Sequence, residues 1–376
     1  MKREKILVVG AGFAGATIAR VLAENSIRVH VIDKRSHIGG NAYDFLNSNN
    51  ERIHKYGPHL LHGNKESKAI SFLNRFTAWI KYEHKVRALL EDGRTTPLPV
   101  NRTTLEDIFD LKLENDFITK KFIEEIRYRD LFPKNCDELF LSNFGEEITN
   151  IFFRPYTRKM WGIDPKELGI GIGTRLPIRT NNDSRYFTDT FQALPKNGYK
   201  FLFENIFSHK NITLGLNTEF EKSMEKDYAH IFLCSPIDMY FGYCYGVLPY
   251  RSIIFEERQI LGKENLDAPV INFTDNSKFT RKTQWNLFPN CPKCNTNKST
   301  LTYEIPVNIE ENPGEYYYPV QTNEAKKLYN KYLELSKKFP KITFCGRTGL
   351  FRYIDMIPSV TMHLSIAHNF IKKFNK

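Results

Sequence analysis

The sequence predicts an α/β protein with three parts: an open parallel sheet, a helical insert and an antiparallel sheet. Short, continuously apolar segments such as residues 5–9 are typical of strands buried on both faces of a parallel sheet. Residues 103–160 instead have helical spacing, charged faces and little glycine. Between residues 250 and 304 the pattern resembles that of antiparallel strands. The 376 residues exceed the usual size of a single core, which agrees with several structural units.

The first predicted elements follow one another as strand, glycine turn, helix and strand. Lys5–Val9 is apolar enough for a buried strand, residues 16–25 have helical composition, and Arg28–Ile32 is a second strand. Asp33 closes that strand. The same criteria predict the later elements, a helix, three strands and a closing helix, at residues 199–207, 212–216, 230–234, 342–345 and 361–374.

The glycine turn predicts a dinucleotide site. Gly10, Gly12 and Gly15 form Gly-x-Gly-x-x-Gly between a strand and a helix, which lets the backbone approach a pyrophosphate at the helix N-terminus. Asp33 follows about 20 residues later, where its carboxylate can accept hydrogen bonds from ribose hydroxyls. A glycine turn without a ligand is the alternative, but the acid at the expected distance favours a Rossmann-like domain.

A second glycine pair distinguishes between the two common dinucleotides. Gly39 and Gly40, followed by Asn41, come shortly after Asp33. In flavoproteins of this architecture such a pair runs beside the cofactor phosphates. A surface loop is the alternative, yet in this context the pair indicates FAD and not NAD.

The net charge of +11 is compatible with a nucleic acid, a membrane surface or an anionic small substrate. Lysines and arginines are scattered among acids, so neither nucleic acid nor membrane is expected, and a diphosphate needs only a few local cations. No apolar run reaches spanning length and the N-terminus has no cleavage pattern, so a cytoplasmic protein is expected. The six cysteines include Cys291-Pro-Lys-Cys294, which resembles half of a zinc site. Because no second pair follows, we expect a plain loop and no metal.

Six blocks of the sequence, in order and over nearly its full length, resemble the UDP-galactopyranose mutase family, bacterial branch. They are Gly39-Gly-Asn-Ala-Tyr-Asp44, Tyr56-Gly-Pro-His-Leu-Leu-His62, Pro155-Tyr-Thr-Arg-Lys-Met-Trp-Gly162, Arg175-Leu-Pro-Ile-Arg179, Ser235-Pro-Ile-Asp-Met-Tyr-Phe241 and Gly346-Arg-Thr-Gly-Leu-Phe-Arg-Tyr-Ile-Asp355. The resemblance implies a discontinuous FAD-binding domain (1–80, 195–245 and 335–376). It further implies a helical domain (102–175) and an antiparallel sheet domain for the substrate (81–101, 176–194 and 246–334).

The resemblance also assigns roles to individual residues. It places beside the cofactor Gly10, Gly12, Phe13, Gly15, Asp33, Lys34, Gly40, Asn41, Arg347, Asp355 and Met356. As catalytic residues it implies His59 and His62 beside the flavin ring, Arg175 and Arg281 on the substrate diphosphate, and Tyr318 and Tyr353 as hydroxyl donors to the same group. The remaining substrate contacts that it implies are Phe152, Tyr156, Trp161, Tyr186, Asn272 and Tyr317.

Two of these assignments can also be interpreted from the sequence itself, without the resemblance. Phe152 and Tyr156 lie four apart and would share one helix face, where the family stacks them on uracil, although a core aromatic stripe fits that spacing equally well. The glycines of residues 169–173 give too much backbone freedom for a stable helix, which predicts a hinge. Arg175 directly follows and would move with a lid.

The activity implied by the resemblance is interconversion of UDP-galactopyranose and UDP-galactofuranose at reduced FAD, through a covalent adduct of flavin N5 with the sugar. Such chemistry serves cell-surface polysaccharide synthesis. The implied partners are a UDP-sugar, an external electron donor and a second copy of the chain in a homodimer.

Several positions depart from the family pattern, most of them on the predicted substrate sheet. Lys-Thr-Gln-Trp-Asn follows Arg281, His84 stands where asparagine is common, and three tyrosines precede Pro319 instead of two. The sugar could therefore be N-acetylgalactosamine or a deoxy sugar in place of galactose. An amine oxidase-like flavoenzyme and a noncatalytic FAD scaffold are alternatives of other classes.

Overall fold

The computed structural model describes residues 5–175, 177–261, 265–294 and 297–374. Within these ranges the side chains of Ile172, Thr174 and Arg175 are not described. None of the helices in the described ranges combines the length and apolarity needed to cross a bilayer.

The strands in chain order are β1 (Lys5–Val9), β2 (Arg28–Ile32), β3 (Asp44–Leu46), β4 (Arg52–His54), β5 (Leu61–Gly63), β6 (Trp79–Lys81), β7 (Val86–Leu89), β8 (Thr95–Leu98), β9 (Phe191–Pro195), β10 (Ile212–Gly215), β11 (His230–Leu233), β12 (Tyr250–Leu261), β13 (Val270–Phe273), β14 (Arg281–Gln284), β15 (Lys298–Asn308), β16 (Tyr318–Pro319) and β17 (Ile342–Phe344). The α-helices are α1 (Phe13–Glu24), α2 (Lys68–Leu73), α3 (Arg102–Phe109), α4 (Asp116–Ile126), α5 (Cys136–Ile148), α6 (Arg154–Trp161), α7 (Gly198–Phe207), α8 (Ile237–Tyr240), α9 (Asn323–Ser336), α10 (Gly346–Gly349) and α11 (Met356–Phe374).

A parallel sheet forms the first part of the fold, as predicted. Its order among the described strands is β10-β2-β1-β11-β17, and every neighbouring pair is parallel. Helices α1, α7 and α11 cover one face, where Ile6, Val8 and Phe232 are buried. Leu7 and Leu233 pack on the other face with α8 and α9. Burial on both faces explains why these strands are continuously apolar.

The second large sheet has the order β16-β12-β15-β14-β13-β7-β8 in the described part of the chain. Most of its pairs are antiparallel, but β7 and β13 run parallel, with Val86 opposite Val270. The sheet is thus antiparallel, as expected, except at this one pair of the described strands. Strand β7 comes from a distant part of the sequence, so no hairpin fixes its direction.

The helical insert begins its helices with asparagine caps. The side chains of Asn101, Asn115 and Asn135 accept hydrogen bonds from the third backbone N–H of α3, α4 and α5. After α5 the chain makes a π-helical turn at Thr149–Phe153 before α6 begins. This turn changes which aromatic side chain faces the cleft described below.

The glycine-rich segment differs from its prediction. Ile170–Arg175 forms a short 3-10 helix, although its glycines were expected to prevent a helix. Close packing explains the difference, because a Cβ on Gly173 would lie 3.0 Å from side-chain atoms of Cys136, Leu139 and Phe140. Glycine is needed at this position because a side chain would collide with α5, in addition to the backbone freedom that glycine gives.

The division into three domains stays a prediction. Tyr332 of α9 packs in the same core cluster as Leu7 and Val9 of β1. This packing favours adding residues 323–334 to the cofactor domain, whereas the sequence-based division gave them to the substrate domain.

Candidate active site

Two glycine loops meet at the N-terminus of α1. A Cβ on Gly15 would lie 1.9 Å from the carbonyl oxygen of Gly10, so only glycine allows α1 to pack this closely on β1. A Cβ on Gly40 would lie 3.0 Å from Cα of Gly12. Gly12 precedes helix α1 as its N-cap and offers no side-chain acceptor, which leaves backbone N–H groups of the first turn available to an anion.

Asp33 is fixed at the end of β2 by backbone donors. Its carboxylate accepts hydrogen bonds from the N–H groups of Ala11, at 2.7 Å, and Arg35, at 2.9 Å. The side chain is 8% exposed and borders the cavity above the glycine loops. An oriented, buried carboxylate at this place can accept the hydroxyls of a ribose.

The glycine-loop cavity has a volume of about 360 Å³. Of the residues predicted to bind the cofactor, it is lined by Gly10, Gly12, Phe13, Gly15, Asp33, Lys34, Gly40, Asn41, Arg347 and Met356. Asp355 lines the neighbouring cleft instead. The glycine cradle, the free helix N-terminus and the ribose acid together fit the pyrophosphate and ribose of FAD.

A second cavity, the aromatic cleft, has a volume of about 300 Å³. His59, Arg347 and Met356 line both cavities, so the two lie side by side. The cleft brings together most of the predicted catalytic and substrate residues, namely His59, His62, Tyr156, Trp161, Tyr186, Asn272, Arg281, Tyr318 and Tyr353.

Arg281 is a partly buried cation of the cleft. Its guanidinium donates to the Tyr156 hydroxyl at 2.8 Å, and its Nε lies 3.2 Å from a carboxylate oxygen of Glu304. Burial alone would lower the pKa of Arg281, but the Glu304 carboxylate and the neighbouring tyrosines together outweigh it and hold this pKa well above the usual range. Arg281 therefore stays charged and can bind an anion in the cleft.

Arg347 packs against two tyrosine rings at the junction of the cavities. The rings of Tyr318 and Tyr353 are stacked, with centroids 5.7 Å apart, and the Arg347 guanidinium lies 4.8 Å from the Tyr353 ring centroid. Arg347 also donates to the carbonyls of Tyr317 and Ile354. The guanidinium is thus held by backbone acceptors and by cation–π contacts.

The two predicted flavin-side histidines have different surroundings. Burial lowers the pKa of His59 to about 4, so its ring is neutral near pH 7. Its Nδ1 lies 2.8 Å from the Gly57 carbonyl, which requires a proton on Nδ1 and leaves Nε2 as an acceptor. His62 bonds through Nδ1 to Asp189 at 2.8 Å and stacks on Phe187 at 3.6 Å between ring centroids.

Two predicted aromatic contacts, Phe152 and Tyr317, do not line the cleft, while their neighbours Phe153 and Tyr318 do. Phe152 is buried in the helical core, whereas its neighbour Phe153 lines the cleft. The π-helical turn interrupts the four-residue spacing that was expected to align Phe152 with Tyr156. Tyr317 packs in a small core with Tyr56, while Tyr318 lines the cleft. Of the two neighbouring tyrosines, Tyr318 is therefore the one that borders the candidate site.

Arg175 cannot be placed relative to the cleft, because its side chain lies outside the described residues. Gly173, two positions earlier, lines the cleft. The segment that carries Arg175 therefore borders the site through its backbone.

Two lining residues were missed from the sequence. Glu304 is directly opposite Arg281 in the strand register, but that pairing requires knowledge of which strands are neighbours. Tyr316 lines the glycine-loop cavity and belongs to the run of three tyrosines, which was the available signal. The Cys291 and Cys294 thiols are free, and no group of three metal-ligating side chains occurs in the described part of the chain.

The fold and site define a class: a flavoprotein with a Rossmann-like domain and an adjoining anion-binding cleft. A sequence model of a Rossmann-like NAD(P)-binding domain matches residues 8–76, and that of UDP-galactopyranose mutase matches residues 151–353. The chain belongs to the UDP-galactopyranose mutase family. It is accordingly an isomerase with FAD as its cofactor.

Full-length relatives support this membership. A Klebsiella pneumoniae protein described as "Probable UDP-galactopyranose mutase" is 34% identical, over 99% of this chain and 96% of its own. The dTDP-fucopyranose mutase of Escherichia coli is 32% identical over 98% of each chain. The UDP-galactopyranose mutase of Mycoplasma pneumoniae is 27% identical, over 97% of this chain and 96% of its own.

Solved structures show the same fold. The crystal structure of a reduced UDP-galactopyranose mutase has a TM-score of 0.77 at 18% identity, over 100% of this chain and 95% of its own. A putrescine oxidase bound to putrescine has a TM-score of 0.56 at 12% identity, over 98% and 99% of the two chains. At these identities the likeness extends to the fold alone.

Proposed function

We propose that this mutase interconverts UDP-galactopyranose and UDP-galactofuranose with reduced FAD, in the synthesis of cell-surface polysaccharide. The observation that carries the proposal is that the two cavities share a wall at His59, Arg347 and Met356, with the charged Arg281 on the cleft side. A nucleotide sugar in the cleft would then present its anomeric carbon to the cofactor.

When bound, reduced FAD supplies a nucleophilic nitrogen for covalent catalysis at the anomeric carbon, with no net redox change. The chain's own residues must keep the UDP that leaves this carbon, because the same UDP has to return. Arg281 retains the diphosphate in both states, and Arg175 would add a second cation. Neutral His59 offers Nε2 as a hydrogen-bond acceptor beside the cofactor.

The aromatic side chains have a separate task. Trp161 packs edge-to-face on Tyr318, with ring centroids 6.1 Å apart, and Tyr318 stacks on Tyr353. These rings enclose the sugar and exclude water, which would otherwise trap the sugar once UDP has left. The tyrosine hydroxyls donate to the diphosphate in this proposal.

A deoxy nucleotide sugar is the second candidate substrate. The dTDP-fucopyranose mutase of Escherichia coli is nearly as similar to this chain as the Klebsiella protein is. His84, which stands where asparagine is common in the family, lines the cleft. An N-acetylated sugar stays a further alternative.

An amine oxidase-like reaction is disfavoured by charge. The guanidinium of Arg281 would repel an ammonium substrate in the cleft. Dependence on an external electron donor, assembly as a homodimer and a cytoplasmic location stay predictions.

The test is to incubate dithionite-reduced protein with UDP-galactose, UDP-N-acetylgalactosamine and dTDP-fucose, and to separate pyranose from furanose products by chromatography. We expect the furanose form of UDP-galactose, and only from the reduced protein. Conversion of dTDP-fucose alone would transfer the assignment to the second candidate. An FAD-loaded, reduced protein that converts none of the three would contradict the proposal.

A further inference from the structure

Lys159 of α6 is a partly buried lysine whose ammonium group is held by backbone carbonyls. Its Nζ donates to the carbonyl oxygens of Phe273 at 3.1 Å, Asp275 at 2.8 Å and Phe279 at 2.8 Å. The Asp275 carboxylate lies 3.5 Å away, and the lysine side chain is 12% exposed. Three carbonyl acceptors match the three N–H donors of an ammonium group.

The three carbonyls belong to the turn that joins β13 to β14. In this hairpin Asn272 and Arg281 are directly opposite each other, and both line the aromatic cleft. The ammonium of Lys159 therefore closes the turn immediately beside the pair that faces the substrate.

The helix that carries Lys159 also reaches the cleft. Tyr156 lies one turn earlier on α6 and hydrogen-bonds to Arg281. On the other side of α6, Arg251 donates to the carbonyls of Lys159, at 3.2 Å, and Met160, at 3.0 Å. The end of α6 is thus bound to the second large sheet at two places. Arg251 of β12 makes one contact, and Lys159 makes the other with the β13–β14 turn.

We propose that Lys159 is a positioning residue, which sets Arg281 and Asn272 at a fixed distance from Tyr156 and so shapes the nucleotide diphosphate site. The proposal rests on the proposed function, in which Arg281 binds that diphosphate. Lys159 itself lies behind the cleft wall and acts through the hairpin. Without it, three carbonyls lose their donor and the turn can move away from α6.

The test compares Lys159→Met, which keeps the length but removes the donors, with Lys278→Ala. Lys278 lies on the same turn, but its side chain is 62% exposed and pairs with Glu256 at the surface. Binding of UDP and dTDP is measured by calorimetry, and FAD content by absorbance. We expect nucleotide affinity to fall by about 10-fold to 100-fold in Lys159→Met, with unchanged FAD content and wild-type behaviour of Lys278→Ala.

A double-mutant cycle with Arg281→Ala separates positioning from general damage. If Lys159 acts through Arg281, its substitution adds little to the loss already caused by Arg281→Ala. Fully additive losses, or nucleotide affinity within about 2-fold of wild type in Lys159→Met, would overturn the proposal. A wild-type protein that binds neither UDP nor dTDP would instead refute the proposed function.

Chemical rescue of nucleotide affinity supplies a second measurement, which can be used if Lys159→Met folds poorly. Lys159→Ala, purified and assayed with propylammonium, should regain nucleotide affinity as the propylammonium concentration rises, because the cation can occupy the vacated carbonyl site. Tetramethylammonium has no N–H donor and should not restore affinity. Equal effects of the two cations would count against positioning by hydrogen bonds.

Discussion

The guanidinium of Arg281 donates a hydrogen bond of 2.8 Å to the hydroxyl of Tyr156. This contact joins β14 to α6 inside the cleft, so the arginine proposed for the diphosphate and the aromatic ring proposed for the base are held as one unit. Removing the guanidinium should therefore affect nucleotide binding strongly and cofactor binding little.

We predict that Arg281→Ala lowers turnover by about 30-fold to several thousand-fold, because a charged partner of the diphosphate is lost. The variant also leaves Glu304 buried without its cation. Arg281→Ala combined with Glu304→Gln should therefore recover thermal stability without activity. Arg258→Ala, which removes a half-exposed arginine of β12, is the matched control. Loss of FAD from Arg281→Ala with retained activity after reconstitution would contradict the assignment.

Asp33→Ala should have the opposite effect and empty the FAD site. The carboxylate that accepts from the Ala11 N–H and borders the cavity would be lost, and FAD affinity should fall by about 100-fold. The ratio of flavin to protein absorbance measures this, while UDP affinity is expected to stay near wild type. Asp92→Ala, which removes an exposed acid paired with Arg94, is the control. A normal flavin ratio in Asp33→Ala would show that another residue binds the ribose.

The sequence was most informative where function depends on local order along the chain. The turn from Gly10 to Gly15 and the acid at Asp33 lie in consecutive elements, so their spacing alone predicted the cofactor site. Glu304 could not be found in this way, because its partner Arg281 becomes its neighbour only through the register of β14 and β15. The placement of Phe152 in the core beside Phe153 in the cleft could not be predicted either, because a π-helical turn has no clear sequence signal.

Stability should depend on pH through His84. This ring is 4% exposed, and burial lowers its pKa from the ordinary histidine value of about 6.5 to about 3. The unfolded chain therefore binds the proton first as the pH falls. The contribution is fully present above pH 6.5 and decreases toward the folded pKa, by about 2 kcal/mol between pH 6.5 and pH 5.

His84→Asn removes one of the buried titrating histidines and should make this dependence less steep. Urea unfolding at pH 7 and pH 5 measures the change in the free energy of unfolding. His209→Asn is the control, because it also removes one histidine and leaves the buried ring of His84 in place. Equal pH slopes in wild type and His84→Asn would mean that the buried ring of His84 does not set the slope.

The segment from Gly169 to Gly173 should act as a lid that closes when UDP binds. A Cβ on Gly169 or Gly171 would meet no atom within 4 Å, so these positions leave room for backbone rotation, while Gly173 is packed against α5. Closing would bring Arg175 to the diphosphate, which supplies the free energy for the movement. Trypsin cleavage after Lys166 and Arg175 should therefore slow when UDP is added. In Arg175→Ala, cleavage after Lys166 should no longer respond to UDP, whereas cleavage elsewhere in the chain serves as the internal control. Equal cleavage of the wild-type segment with and without saturating UDP would rule out closure of this lid.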